Sequence, residues 1–445
     1  MVSRTQEIKK LDSLYSKSKN QVVLIYGARG CLKEELIRDF IKGKKAFYYK
    51  GRNVSPEKQF QDMSVDVKNS LKVDTPLKSY DDCFKAIADS DKDIVVVDDF
   101  EYVVKKEEAF LDAVSKYKKE MFIILSSSSL SWINNDFDEV VANKKNLVDV
   151  RMKLDEVGFI DVVRAFPRFS VEESVSVYGI LGGVPSYLNR WSQTKPFKAN
   201  VCDNILSPYG YLFNEVNELL GSELRELTVY NTILSSIARG NEKLNDLYKD
   251  TGYSRAKISV YIKNLAAFDI VSKVVSFETG GWDNAKKGVY RINNNIVNFY
   301  FYFIYPHLSD LYTMSADKFF DTYIKNQLAE YLQRYFVSVC QEYLELINKV
   351  GRCSINIDKM GTWIGKTGTI DIVAKDSVRN NVVGMCNWKA KEFLFSDYEK
   401  LLDLMKSARI NAKTIYLFSA TAFDSKLTEL ANEDSSIVLI DMKEL

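Results

Sequence analysis

The stretch QVVLIYGARGCLKEELIRDFIK, residues 21–42, decides how the rest of the chain is read. Five of its first six residues are apolar, and Gly27 follows them, which predicts a short buried strand. From Lys33 onward, Leu36, Ile37, Phe40 and Ile41 recur at helical spacing and predict a helix with one apolar face. Strand, glycine turn and helix form the frame in which backbone N–H groups at a helix N-terminus face an anion.

The residues that fill this frame depart from the pattern G-x-x-x-x-G-K-[ST]. Gly27 and Lys33 stand in register, but Leu32 replaces the second glycine and Glu34 replaces the hydroxyl residue that would hold Mg²⁺. The candidate cradle for the phosphates of ATP is therefore Gly27, Ala28, Arg29, Gly30, Cys31, Leu32, Lys33 and Glu34. Leu32 adds bulk where the backbone must approach a phosphate, and Glu34 adds negative charge beside it. Two readings of Glu34 stay open. Its carboxylate is a hard oxygen ligand for Mg²⁺, or it satisfies the free N–H groups of the first helical turn in place of a phosphate.

A chain of 445 residues has room for two to four domains, each with its own core. The net charge is +1, so no global field recruits nucleic acid or membrane, and any such surface is local. Cysteines 31, 83, 202, 340, 353 and 386 form no C-x-x-C pair, and His307 is the single histidine, which argues against a Cys/His zinc site and a histidine-based triad. The charged, amphipathic stretch 1–15 reads as a helix rather than a signal peptide, and no apolar run approaches the ~20 residues of a membrane span. The expected location is the cytoplasm, with reduced thiols.

Downstream, DIVVVDDF (93–100) is an apolar run ending in two aspartates, the sign of a central parallel strand whose carboxyl end opens on a ligand crevice. Asp98 is the candidate residue for Mg²⁺, together with Glu34, and Asp99 stands where a carboxylate would polarise attacking water. KKAFYYKG (44–51) and MFIILSSSS (121–129) supply further strands, the latter with Ser126, Ser127 and Ser128 at its tip. Alternating strands and helices predict a parallel α/β sheet. Residues 155–222 read as helical and include YGILGGVPSYL (178–188). Three helices and a hairpin follow over 223–305, the order of a winged helix-turn-helix. Its third helix carries Arg255, Lys257 and Lys263, and the hairpin tip carries Lys286 and Lys287. Residues 223–291 contain 11 basic and 8 acidic side chains, so DNA binding through that helix and packing against a protein partner are both open. The aromatic run NFYFYFIYP (298–306) reads as core. A last α/β segment contains GTWIGKTGTIDIVAKD (361–376) and GMCNWKAKE (384–392), the skeleton of a metal-dependent nuclease.

Together these stretches resemble the archaeal-type P-loop ATPases, which are related to AAA+ and STAND proteins and occur also in bacteria. The landmarks are YGARGCLKEELI, IVVVDDF, YGILGGVPSYL, IARGNEKLNDLYKDTGYSRAKISVYIKNL, and GTWIGKTGTIDIVAKD followed by GMCNWKAKE. The resemblance implies a P-loop α/β domain over 1–154, a helical lid over 155–222, a winged helix over 223–305 and a PD-(D/E)xK nuclease-like α/β domain over 306–445. It also implies an ATP-binding protein, and it marks three departures. The family loop ends Gly-Lys-Thr, where this chain has Leu32-Lys33-Glu34. A Gly-Arg pair that follows the sensor strand is replaced by Asn143-Lys144-Lys145. In the nuclease-like domain Asp371 is kept, but Val337, Met385 and Asn387 stand where the family has Glu, Glu and Lys. One aspartate cannot assemble a two-carboxylate metal site, so nuclease activity is not expected. The expectation is a nucleotide-dependent switch with slow or absent hydrolysis; the alternatives are an inactive interaction scaffold and a DNA-binding regulator.

Overall fold

A computed structural model describes residues 2–104, 108–144, 146–277 and 288–444. The chain divides into two compact units. One comprises Met1–Glu156, Val184–Asn189 and Lys263–Asp269; the other comprises Val157–Gly183, Arg190–Ile262 and Ile270–Leu445.

The first unit is built on five parallel strands: β1 (Gln21–Gly27), β2 (Ala46–Lys50), β3 (Ile94–Asp98), β4 (Phe122–Ser127) and β5 (Val150–Leu154), in the order β2-β3-β4-β1-β5. Burial on both faces explains the unbroken apolar runs. On one face Val23, Ile25, Val96 and Ile124 pack with Leu11, Leu36, Ile37 and Phe40 from the helices Thr5–Lys17 and Lys33–Ile41. On the other, Leu24, Val95, Val97 and Leu125 pack with Met63, Phe84 and Phe110 from three further helices. The sequence reading does not single out β5, because Val-Arg-Met-Lys-Leu alternates apolar and charged residues as an edge strand does. The parallel register sets Lys50 beside Asp98 and Tyr26 beside Ser127, so four strand ends converge on the turn after β1.

In the second unit the helix Val171–Leu181 opens with a capping box between Ser170 and Glu173. Helices Leu227–Ala238 and Leu244–Thr251 and the beginning of Arg255–Ala267 precede an antiparallel hairpin of β6 (Val271–Val274) and β7 (Val289–Ile292). Gly240 and Gly252 end the first two helices in left-handed conformations, φ 93° and 71°. The expected hairpin tip with Lys286 and Lys287 lies outside the described residues, as does Lys145 of the first unit. Phe299, Phe301 and Phe303 are fully buried, so the aromatic run is core.

A separate sheet closes the chain: β8 (Lys359–Ile364), β9 (Thr369–Lys375), β10 (Asn381–Asn387), β12 (Ala412–Ser419) and β14 (Ile437–Asp441), in the order β14-β12-β10-β9-β8. The first three of that order are parallel and the last two antiparallel. A short pair, β11 (Glu392–Phe393) and β13 (Ala422–Phe423), lies apart from it.

Candidate functional site

The turn after β1 is held by its own backbone and by residues outside it. Cys31 N–H donates to the Ala28 carbonyl at 3.3 Å, Ser186 N–H to the Gly30 carbonyl at 3.0 Å, and Arg4 Nε to the Cys31 carbonyl at 2.9 Å. Arg4 also donates to the Asp155 carbonyl at 2.6 Å, which fixes its guanidinium. A planar trans peptide directs its N–H opposite to its C=O. The Ala28–Cys31 bond closes the turn on itself, while Arg4 ties the Cys31 carbonyl from outside it and so turns the N–H of Leu32 to the other side. The helix Lys33–Ile41 starts there without a side-chain cap, leaving its first-turn N–H groups without an intrahelical acceptor.

Leu32 stands in the position where the standard loop has glycine, and it keeps a glycine-like backbone, with φ 59° and ψ 38°. A leucine pays for that left-handed conformation with roughly 1–2 kcal/mol of strain. Gly30, at φ 87°, is hemmed in: a Cβ there would come within 2.7 Å of Val184 Cγ1 and 2.6 Å of Ser186 Oγ. Gly27 is equally constrained, since a Cβ would lie 2.6 Å from the Leu154 carbonyl on β5.

At the helix start, Lys33 is buried and its Nζ lies 2.7 Å from Asp98 Oδ1 and 3.3 Å from Asp99 Oδ1. Burial alone would pull the Lys33 ammonium toward neutrality, but Asp98 and Asp99 outweigh it and hold the proton more firmly than usual. Asp98 is fully buried as well. Burial works against its charge, yet Lys33, Ser126 and Tyr48 hold its carboxyl down to about 2. Tyr48 donates to its Oδ2 at 2.7 Å, and Ser126 Oγ donates to its Oδ1. Asp99 sits in the left-handed region at φ 49°, which aspartate tolerates better than most residues. Its Oδ1 accepts from Ser128 Oγ at 3.3 Å. Ser127 instead binds the Ser129 N–H at 3.1 Å.

Glu34 does not plug its own helix. Its Oε1 lies 3.3 Å from Lys50 Nζ, and the same ammonium is 3.5 Å from Asp98 Oδ2 and 3.2 Å from Asp99 Oδ2. Glu101, three residues beyond Asp98, is buried with Oε2 lacking a hydrogen-bond partner. Burial, reinforced by Asp99, pushes its carboxyl up to about 7.

Thus Lys33, Glu34, Asp98, Asp99, Ser126 and Ser128 are brought together as the motif spacing requires. Sequence reasoning missed Lys50, Tyr48, Arg4 and Ser186. The only hint of Lys50 is a lysine closing the FYY strand; recognising it needs the register of β2 on β3. Lys144, near the expected Gly-Arg position, pairs with Asp112 on the surface and takes no part in the cluster.

Asp371, on β9, and Val337, on the helix Leu328–Lys349, line one cavity of about 660 Å³. Asp371 Oδ2 accepts the Cys386 N–H at 2.9 Å, and burial pushes the carboxyl up to about 6. Met385 packs against the apolar core, and Asn387 Oδ1 accepts from Ala390 N–H at 3.1 Å. Among the described residues no group of three or more His, Cys, Asp or Glu side chains is arranged to hold a metal ion, and no helix is long and apolar enough to cross a membrane.

Residues 1–191 match the model of an ATPase domain found predominantly in Archaea. This domain is followed by residues 300–400 that match a family of archaeal and bacterial proteins of unknown function. An uncharacterised protein of Methanocaldococcus jannaschii is 26% identical over 400 residues, 87% of each chain, so the similarity runs from the ATPase domain well into the C-terminal half. Among solved structures, a Walker-type ATPase of Pyrococcus abyssi superposes with a TM-score of 0.47 at 16% identity, covering 68% of this chain and 96% of that one. The ORC2 protein of Aeropyrum pernix, solved in ADPNP–ADP complexes, gives 0.43 at 12% identity, covering 68% and 92%.

Proposed function

We propose that this chain binds ATP at the turn after β1 and uses the bound nucleotide as a switch, with slow or absent hydrolysis. The observation that carries the reading is the turn whose Gly30 and Cys31 carbonyls are taken up by Ser186 and Arg4, beside an uncapped helix start and a buried lysine. That combination presents N–H groups and one ammonium to an anion. In this reading residues 27–34 cradle the phosphates and Lys33 contacts the terminal ones, releasing Asp98 as it does so. Asp98 and Asp99 are the residues through which any hydrolysis would run. Both are held by lysines and serines, which favours binding over turnover.

The test is thermal melting with and without millimolar ATP. A ligand that binds only the folded state stabilises it by about 2.7 kcal/mol at a hundredfold excess over Kd. The native chain is expected to melt higher with ATP. Lys33→Ala removes one partner of a buried pair and by itself costs about 3 kcal/mol or more, so the quantity to read is the ATP-induced rise, which it is expected to lose. Absence of the rise in the native chain would sink the reading and favour the interaction scaffold.

A second reading is duplex DNA binding by the helix Arg255–Ala267. It is favoured by the exposed, aromatic-flanked cations there: Arg255 lies 4.3 Å from the Tyr248 ring centre and Lys257 4.3 Å from that of Tyr253. Lys263 is exposed on the same helix.

A further inference from the structure

Three carboxylates converge on one ammonium. Lys50 Nζ lies 3.3 Å from Glu34 Oε1, 3.5 Å from Asp98 Oδ2 and 3.2 Å from Asp99 Oδ2. Glu34 and Asp98 are the two residues expected from sequence to hold Mg²⁺. An ammonium has three N–H donors, and three acceptors surround this one.

The donor set does not suit a divalent ion as it stands. Mg²⁺ takes oxygens at about 2.0–2.1 Å in near-octahedral array, and the point on which these three carboxylates converge is filled by the Lys50 ammonium. Their carboxylate partners are engaged too: Asp98 Oδ1 by Lys33 and Ser126, Asp99 Oδ1 by Lys33 and Ser128. A divalent ion entering this ring would meet two positive side chains at close range. The departures at 34 and 50 also complement each other. Replacing a loop hydroxyl by Glu34 alone would set an uncompensated negative charge beside an incoming phosphate, and Lys50 answers it. The register of β2 on β3, Lys50 beside Asp98, delivers that lysine from a strand end rather than from a loop.

Resting on the nucleotide reading above, we propose that the Lys50 ammonium stands in for the divalent metal, so that this chain holds a nucleoside triphosphate without Mg²⁺. The Lys50 side chain is half exposed, so its head can face both the carboxylates and a phosphate. A single positive charge neutralises less developing charge than a divalent ion would, which accords with slow or absent turnover.

The experiment is ATP titration of the full chain in EDTA and in MgCl₂, followed by thermal melting, for the native protein and Lys50→Met. The native chain is expected to gain the same rise in Tm in both buffers. Lys50→Met is expected to lose about tenfold or more in ATP affinity in EDTA, the loss of charge-assisted hydrogen bonds, and to recover in MgCl₂ as the freed carboxylates accept the metal. A native rise that vanishes in EDTA would overturn the metal replacement and leave nucleotide binding intact, as would Lys50→Met binding ATP in EDTA as well as the native chain does. No rise in either buffer would overturn both. The two native-chain measurements decide the matter even where the variant fails to fold.

Discussion

Glu101 shows what the site costs at the level of one residue. A carboxyl held near 7 in the folded chain, against an unfolded value near 4.3, means that folding is favoured while Glu101 is protonated. Its contribution is complete below the unfolded value and is lost as pH rises through 7. Glu101→Gln keeps the shape and removes the ionisation. It is expected to melt like the native chain at pH 4 and higher than it at pH 8, by up to roughly 3 kcal/mol; equal melting at pH 8 would refute the assignment. Residues also mark the limit of what sequence discloses. Leu32 reads as bulk in a phosphate cradle, but the backbone beneath it keeps the left-handed path of the missing glycine. Glu34 reads as a metal ligand or a helix plug, and its partner turns out to be Lys50, sixteen residues on at the end of the next strand, a pairing that no local pattern signals.

Elements were more legible than contacts. The strand at 21–27, the helix from Lys33 and the acidic end of β3 follow from runs and periodicities that a window of a dozen residues contains. What escaped was β5, whose alternation is that of an edge strand, and the role of Val184–Asn189, which returns to brace the loop through Ser186. No local pattern encodes a brace. The helix Arg255–Ala267 carries its own prediction: only Ile258, Ile262 and Leu265 are buried along it, an apolar stripe that leaves Arg255 and Lys257 on the outer side. Arg255→Glu with Lys257→Glu is expected to abolish a salt-sensitive shift of duplex DNA in a gel assay while leaving melting within about 0.5 kcal/mol, since exposed substitutions of this kind seldom do more. A shift that survives both changes, or that ignores salt, would remove DNA from this surface.

For the molecule as a whole, composition bounded the answer and left chemistry open. All six cysteines are free; five are buried and Cys353 is half-buried. Burial also pushes the Cys31 and Cys83 thiols up to about 12, away from the reactive thiolate. A thiol reagent is therefore expected to label Cys353 first in the native protein and all six only after unfolding; rapid labelling of Cys31 would mean that the loop opens on the timescale of the assay.

The bracing of the turn after β1 by Ser186 also bears on the order in which the molecule is made. Chains emerge N-terminus first and fold as they appear. The parallel sheet has all its strands once Leu154 has been synthesised, but the peptide N–H that holds Gly30 belongs to Ser186. A nascent chain thus possesses a complete sheet before it possesses a finished loop, and the turn after β1 gains its last brace only when a later segment folds back.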